Sequence, residues 1–186
     1  MYRCEQQIAD GTAEEPAVYD PTKDFPKITS LGDIAVDFDR TIDDRIPVLK
    51  RHINPHGVPE DVSDRCFRPW RTGAARFNVF AARWGDEVWM TRAQLNTYAR
   101  GQGMTLGDPK PLLDLIVSRP AKDLDELHPI LAIGQLYYEP GMGFGRALCR
   151  YGVGPSVGIM TMTLSPNAQV TPCWQVLLLK EIKASG

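Results

Sequence analysis

The sequence predicts an α+β fold: an antiparallel sheet of four to six strands packed against two or three helices that cover one face, preceded by an extended N-terminal arm. Three observations predict it. Four apolar segments alternate with short glycine- and proline-rich breaks in the last third of the chain. The middle carries apolar residues at helical spacing after residues that favour helix N-termini. The first 30 residues are acidic, contain prolines and lack an apolar period.

The C-terminal segments predict a four-strand meander. Each connection is shorter than the crossover of about a dozen residues that parallel strands need, so we expect neighbours in sequence to be antiparallel neighbours in space. In the second segment Ala147, Cys149 and Tyr151 alternate with Arg146 and Arg150, which predicts one buried and one polar face. The four predicted strands are Ile130–Glu139, Arg146–Val153, Val157–Leu164 and Trp174–Lys183.

The region before the meander predicts strands and a helix. Alternation over Leu31–Asp39 predicts a strand, and an N-cap at Asp43 or Asp44 predicts the helix that follows it. Arg76–Trp89 predicts a hairpin whose turn is Gly85-Asp86.

Two further helices are predicted from their start signals. Thr91 and Gln94 have the spacing of a capping box, which opens a helix that continues to Arg100. Asp108 followed by Pro109 starts a helix that continues into the apolar run before Ser118.

The length and composition predict one domain. A chain of 186 residues buries one substantial core, so residues 31–186 are interpreted as a single α+β domain and residues 1–30 as an extended acidic arm. No segment approaches the roughly 18 apolar residues of a membrane-spanning helix, and the N-terminus lacks the apolar centre of a signal peptide. We therefore expect a cytoplasmic protein that does not associate with membranes. The four cysteines are widely spaced, which favours reduced thiols.

Charge is distributed unevenly along the chain. Residues 1–64 hold 7 Lys/Arg and 14 Asp/Glu, a net charge of −7. Residues 65–100 hold 7 Arg against 2 acids, a net charge of +5, and the remainder is neutral. This asymmetry predicts an acidic arm and a basic patch that face each other within one chain or between two copies.

An apolar strand that ends in Asp-x-Asp-x-Thr spans Ile34–Ile42. These nine residues resemble the first motif of the haloacid-dehalogenase-like phosphohydrolases. The resemblance implies a parallel α/β sheet, Mg²⁺ as cofactor, Asp37 as the nucleophile and Asp39 as the general acid/base. Carboxylates two residues apart on a strand share a face, where a cation offsets their repulsion. The competing interpretation is two exposed acids on an edge strand before a helix N-cap.

Arginines and aromatic residues interleave between residues 65 and 100. Guanidinium groups pair with phosphates and stack on bases, and aromatic rings also stack on bases, so this composition is typical of a single-stranded nucleic-acid surface. The alternative is that the arginines lie along the core or pair with the acidic arm. The candidate binding residues of this group are Arg68, Trp70, Arg71 and Arg76.

A glycine-rich break follows the first C-terminal strand. The glycines of this break precede a strand rather than a helix, and they are Gly141, Gly143 and Gly145. They are therefore interpreted as turn residues and not as a dinucleotide-binding loop. The neighbouring Tyr137, Arg146 and Arg150 are candidate binding residues around this turn.

Histidines offer little for a metal site. His52 and His56 are four residues apart, but Pro55 breaks the helix that would place both on one face. No metal ligands are therefore assigned, and Mg²⁺ is expected only under the phosphohydrolase interpretation.

The sequence as a whole favours a non-catalytic interaction or assembly protein, because it holds no complete catalytic constellation. The partner is expected to be another protein or a second copy, with the acidic arm of one chain on the arginine patch of the other. Such an association weakens as salt rises. The phosphohydrolase and the single-stranded nucleic-acid-binding protein are the two alternatives.

Overall fold

The computed structural model describes most of the chain from residue 25 onward. The described residues are 25–54, 57–85, 88–119, 121–127, 129–138, 141, 143–165, 169–170 and 173–183. Most of the predicted N-terminal arm lies outside them, and so does His56. The described part of that arm leads into the first strand, which begins at Lys27.

The described residues form one large sheet and one small one. The large sheet has the strand order β1-β2-β9-β5-β6-β7, with β4 also paired to β9, and β3 pairs with β8 in the small sheet. The strands are β1 Lys27–Asp37, β2 Ala74–Arg83, β3 Met90–Thr91, β4 Thr105–Leu106, β5 Ile130–Tyr138, β6 Gly145–Tyr151, β7 Gly158–Leu164, β8 Gln169–Val170 and β9 Gln175–Glu181. The predicted α+β class is confirmed.

Helices connect these strands, and local chemistry defines where they begin. The helices are α1 Ile42–Leu49, α2 Arg92–Gly101, α3 Pro109–Ser118 and α4 Ala121–Asp125. The capping box predicted for α2 is present, since the Thr91 side chain accepts from the Gln94 N–H and Gln94 accepts from the Thr91 N–H. An equivalent box between Thr41 and Asp44 starts α1, so the N-cap lies just before the predicted aspartates.

The purely antiparallel sheet and the four-strand meander were wrong predictions. β5, β6 and β7 are sequential antiparallel neighbours, but β9 lies parallel to β5 and not beside β7. The reason is an excursion between β7 and β9: β8 leaves the large sheet to pair with β3, and the chain returns on the far side of β5. A short connection favours antiparallel neighbours only when the chain turns back directly.

The core has two parts because both faces of the large sheet are covered, which corrects the prediction of one covered face. One apolar cluster contains α1 and α3 together with alternate strand residues such as Leu177 and Leu179. The other contains Leu95 of α2 together with Val176 and Leu178. Helices therefore pack on opposite sides of the central strands.

The predicted hairpin at Arg76–Trp89 is also wrong. β1 pairs with β2 along one edge and β9 pairs with it along the other, so no edge of β2 remains for the residues that follow it. β3 pairs with β8 instead. Among the described residues, no helix is long and apolar enough to cross a membrane.

Two buried cations hold the segment between β1 and α1. Arg45 is almost fully buried and donates two hydrogen bonds of 2.8 Å to the Asp114 carboxylate of α3. The same guanidinium donates to the carbonyl oxygens of Asp37 and Thr41 at 2.6 and 3.1 Å. Lys110 Nζ donates to the Phe38 carbonyl at 2.8 Å. The carbonyls of this turn thus find their donors inside the protein.

Arg45→Ala is expected to lower the free energy of unfolding by about 3–5 kcal/mol, because it leaves the Asp114 carboxylate and the turn carbonyls without their buried donor. Urea unfolding measures this loss. The control is Arg51→Ala, an exposed position in the same region where the expected change is within about 0.5 kcal/mol. Equal stabilities for the two variants would contradict this role of Arg45.

Candidate functional site

Asp37 and Asp39 lie at the end of the border strand β1, whose only described strand partner is the antiparallel β2. Both side chains are exposed. The Asp39 N–H donates to Asp37 Oδ1 and the Gly73 N–H donates to Asp39 Oδ1, both at 3.0 Å. The two carboxylates therefore organise a turn at the border of the sheet, where β1 pairs antiparallel to β2 and not in the parallel arrangement that the phosphohydrolase resemblance implies.

The arginine-rich region is largely paired within the chain. The Arg71 guanidinium donates to both Glu181 carboxylate oxygens at 3.1 and 3.2 Å and lies 5.1 Å from the centre of the Phe38 ring. Arg76 pairs with Asp33, and its guanidinium holds the pKa of the Asp33 carboxyl below the ordinary value. These two arginines meet acids of their own domain.

Arg68 and Trp70 make other contacts, although the Arg76 side chain is as exposed as theirs, with 64% of it accessible. Both side chains are exposed, and Trp70 has 61% of its surface accessible. The backbone carbonyl of Arg68 accepts from the Gln135 amide, and the Trp70 indole N–H donates to Asp108. Of these four residues, Trp70 and Arg71 are in contact, with the Arg71 guanidinium 5.5 Å from the Trp70 ring centre.

Tyr137 and Arg146 lie beside the glycine-rich turn, but Arg150 does not, because it pairs with Ile130 at the opposite end of β6. The Tyr137 ring packs edge-on against Phe67, with ring centres 6.3 Å apart. Arg146 pairs with Asp61 at 2.8 Å. Arg150 is fully buried, donates to Asp125 at 2.8 Å and has a pKa lowered by burial. These partners give the arginines of β6 a structural role.

The described part of the chain contains no cluster of side chains placed to bind a metal ion. No group of three or more histidine, cysteine or acidic side chains is placed to hold a metal there. His52 is exposed in the turn after α1.

The outer edge of β7 is open beyond its first residues. The Ile159 N–H donates to the Gly57 carbonyl at 2.7 Å, so odd-numbered residues of β7 direct their backbone groups away from β6. Thr161 and Thr163 continue this alternation. No described residue makes a backbone hydrogen bond to their outward N–H and C=O groups.

Met160 and Met162 lie on one face of β7 next to its open part, and Met160 exposes 38% of its surface. Tyr151 and Val153, which expose 37% and 45%, lie near the covered start of β7, since Tyr151 pairs with Gly158. Met162 packs only partly against the core on the same side of the sheet as Met160. The border of the sheet thus combines unpaired backbone with accessible apolar surface.

The other border of the sheet is protected. β1 carries Lys27, Asp33 and Asp37, and its register with β2 shifts at a bulge where Gly32 adopts a φ of 80°. Arg119 of the segment after α3 donates to the Asp33 carbonyl at 3.1 Å. Charges, bulges and covering groups are the devices that prevent edge strands from pairing with other chains. β7, with the sequence Gly-Ile-Met-Thr-Met-Thr-Leu, has no charged residue.

Sequence reasoning missed this edge because the predicted meander placed β7 between two neighbours. The signal was nonetheless present in an uncharged strand sequence without proline.

Comparison with known proteins adds no assignment: no family model matches the chain, and no curated protein or solved structure matches it.

Asp39→Ala removes the acceptor of the Gly73 N–H, so we expect a loss of about 0.5–1.5 kcal/mol in the free energy of unfolding. Thermal unfolding with and without Mg²⁺ measures this loss and any metal dependence. If Asp39 only stabilises the turn, the loss of stability in Asp39→Ala is the same with and without Mg²⁺. A wild-type stabilisation by Mg²⁺ that Asp37→Asn abolishes would contradict it and support the phosphohydrolase.

Proposed function

We propose that this protein is a non-catalytic assembly component that self-associates by pairing β7 of one copy with β7 of a second. The open backbone edge at Thr161 and Thr163 is the observation that carries the proposal. The strand itself has no charged residue, and the Asp61 carboxylate that accepts from the Thr161 hydroxyl at 2.9 Å is paired with Arg146. An exposed strand without protective features pairs with another strand more readily than a charged or bulged one. β1 has those protective features, so β7 is the border available for pairing.

A second copy suits this edge because the pairing is self-complementary. Two antiparallel β7 strands related by a two-fold axis place Thr161 of one copy opposite Thr163 of the other, so that all outward groups of both residues form hydrogen bonds. In this register Met162 faces its own counterpart across the axis. The absence of charge in β7 avoids the repulsion that a strand with charges meets when it pairs with itself.

The edge interface and the acidic-arm interface respond differently to salt. Backbone hydrogen bonds and methionine contacts change little with ionic strength, whereas an acidic arm on an arginine patch weakens as salt rises. Arg71 and Arg76 already pair with Glu181 and Asp33, which leaves fewer free cations for such an arm. The edge is therefore the better-supported interface.

Thr163→Pro tests the edge with little change to the monomer. Proline removes an N–H that points away from β6, so the ladder between β6 and β7 stays intact while the outer edge is blocked. Sedimentation velocity over a concentration series is expected to show a monomer–dimer equilibrium for the wild type and a monomer for Thr163→Pro. Thr163→Val, which keeps the N–H, is the matched control and is expected to dimerise.

A complementary pair at the two-fold axis tests the register. Met162→Lys and Met162→Glu are each expected to be monomeric, because like charges face each other across the axis, and their mixture is expected to form a heterodimer. Circular dichroism of each variant confirms that it is folded. A wild type that stays monomeric at every concentration would contradict the proposal. Dimerisation only after deletion of residues 1–24 would also overturn it, since that segment would then occupy the edge.

A further inference from the structure

β5 leaves β9 after a short parallel contact, and a cavity opens where the two strands diverge. Ile130 and Leu131 of β5 pair with Gln175 and Val176 of β9. Further along β9, β4 takes the place of β5, since Leu106 pairs with Leu178. A gap therefore lies between β4 and the middle of β5, and we call it the groove.

Gly134 lets β5 lie against the loop that follows β4. Its N–H donates to the Gly107 carbonyl at 2.9 Å. A Cβ at this position would lie 2.5 Å from both the Leu106 carbonyl oxygen and Asp108 Oδ1. Only glycine lets β5 come this close to the loop, and the close contact places the Asp108 carboxyl at the bottom of the groove.

Asp108 is a buried carboxyl that precedes a helix but does not cap it. It is only 7% exposed and precedes α3, but its side chain makes no cap hydrogen bond to that helix. It accepts the Trp70 indole N–H instead. Burial raises the pKa of Asp108 to about 6, against the opposing influences of the Trp70 hydrogen bond and the nearby Arg92. The burial of this carboxyl lowers the stability of the folded protein, and groups in functional sites are often buried at such a cost.

The cavity above Asp108 is large enough for a small ring. Its volume is about 250 Å³, and a second cavity of about 300 Å³ shares Arg92 and Asn96 with it. Tyr138 and Ser165 line the second cavity. The polar and aromatic side chains of the first cavity are Trp70, Arg92, Asn96, Thr105, Asp108 and Gln135.

The charges around the cavity offset one another. Arg92 donates to the Ile133 carbonyl at 2.7 Å and to the Gly134 carbonyl, and it lies near the Asp108 carboxyl. Arg71, whose guanidinium lies 5.5 Å from the Trp70 ring centre, is matched by Glu181. A site without excess charge favours a neutral ligand over an ion.

We propose that this groove binds a neutral, hydroxyl-rich ring, a saccharide, which stacks on the exposed Trp70 ring and bonds to Asp108, Asn96 and Gln135. Hydroxyl groups both donate and accept hydrogen bonds, and carboxylate and amide side chains supply both partners. The apolar C–H face of such a ring packs on an indole, which is large, rigid and apolar on its faces. Neither Thr161 nor Thr163 is among the residues that line the two cavities.

Isothermal titration calorimetry with neutral disaccharides of glucose, galactose and N-acetylglucosamine tests the proposal on the full chain. At least one probe is expected to bind saturably, and Trp70→Ala and Asp108→Asn are expected to weaken it by about tenfold or more. Tyr151→Ala, which removes an exposed aromatic ring outside the groove, is the control and is expected to bind normally. No saturable binding by any of these probes would overturn the proposal, and so would equal binding by Trp70→Ala.

A second readout separates a ligand-binding carboxyl from a structural one. A carboxyl whose pKa rises on folding from 3.8 to about 6 favours the folded state at low pH and loses that contribution as the pH rises through 6. Asp108→Asn is therefore expected to melt at a higher temperature than the wild type at pH 7.5 and at a similar temperature at pH 4. A lower melting temperature for Asp108→Asn at both pH values would mean that the carboxyl supports the fold, and would overturn its assignment to the ligand.

Discussion

The pairing of β9 with β2 on one edge and with β5 on the other is the constraint on which the rest of the fold depends. Val176 and Leu178 enter one core cluster, while Leu177 and Leu179 enter the other. A strand that is apolar on both faces needs cover on both faces, which α2 provides on one side and α1 and α3 provide on the other. From the two edges of β9 the sheet extends through β2 to β1 on one side and through β5 and β6 to β7 on the other.

Both candidate surfaces result from this central position. Because β9 inserts beside β5, β7 has no strand on its outer side among the described residues and becomes a border with open backbone groups. Because β5 stays parallel to β9 for only two residue pairs, β4 fills the remaining edge and the groove opens between them. One topological feature thus produces an edge suited to a second copy and a cavity suited to a small ligand.

The sequence predicted those features that depend on neighbouring residues. The capping box at Thr91 and Gln94 and the C-terminal strand positions follow from local hydrogen bonding and alternation. Strand direction and order were missed, because they depend on the pairing of β8 with β3, which no local pattern encodes. The partnership of Trp70 and Asp108 joins residues 38 positions apart, so the pattern predicted only a helix start at Asp108. Similarly, Arg150 was placed on a polar face because Asp125, its half-buried partner, belongs to another element.

Amide hydrogen exchange along β7 tests the position of β9 most directly. If β9 pairs with β5, the Met160 and Met162 amides are protected by β6, while the outward Thr161 and Thr163 amides exchange rapidly in dilute solution and slow as concentration rises. If β9 instead paired with β7, as in a continuous meander, Thr161 and Thr163 would be protected at every concentration. If this protection persists after deletion of residues 1–24, it contradicts the topology on which both surfaces depend.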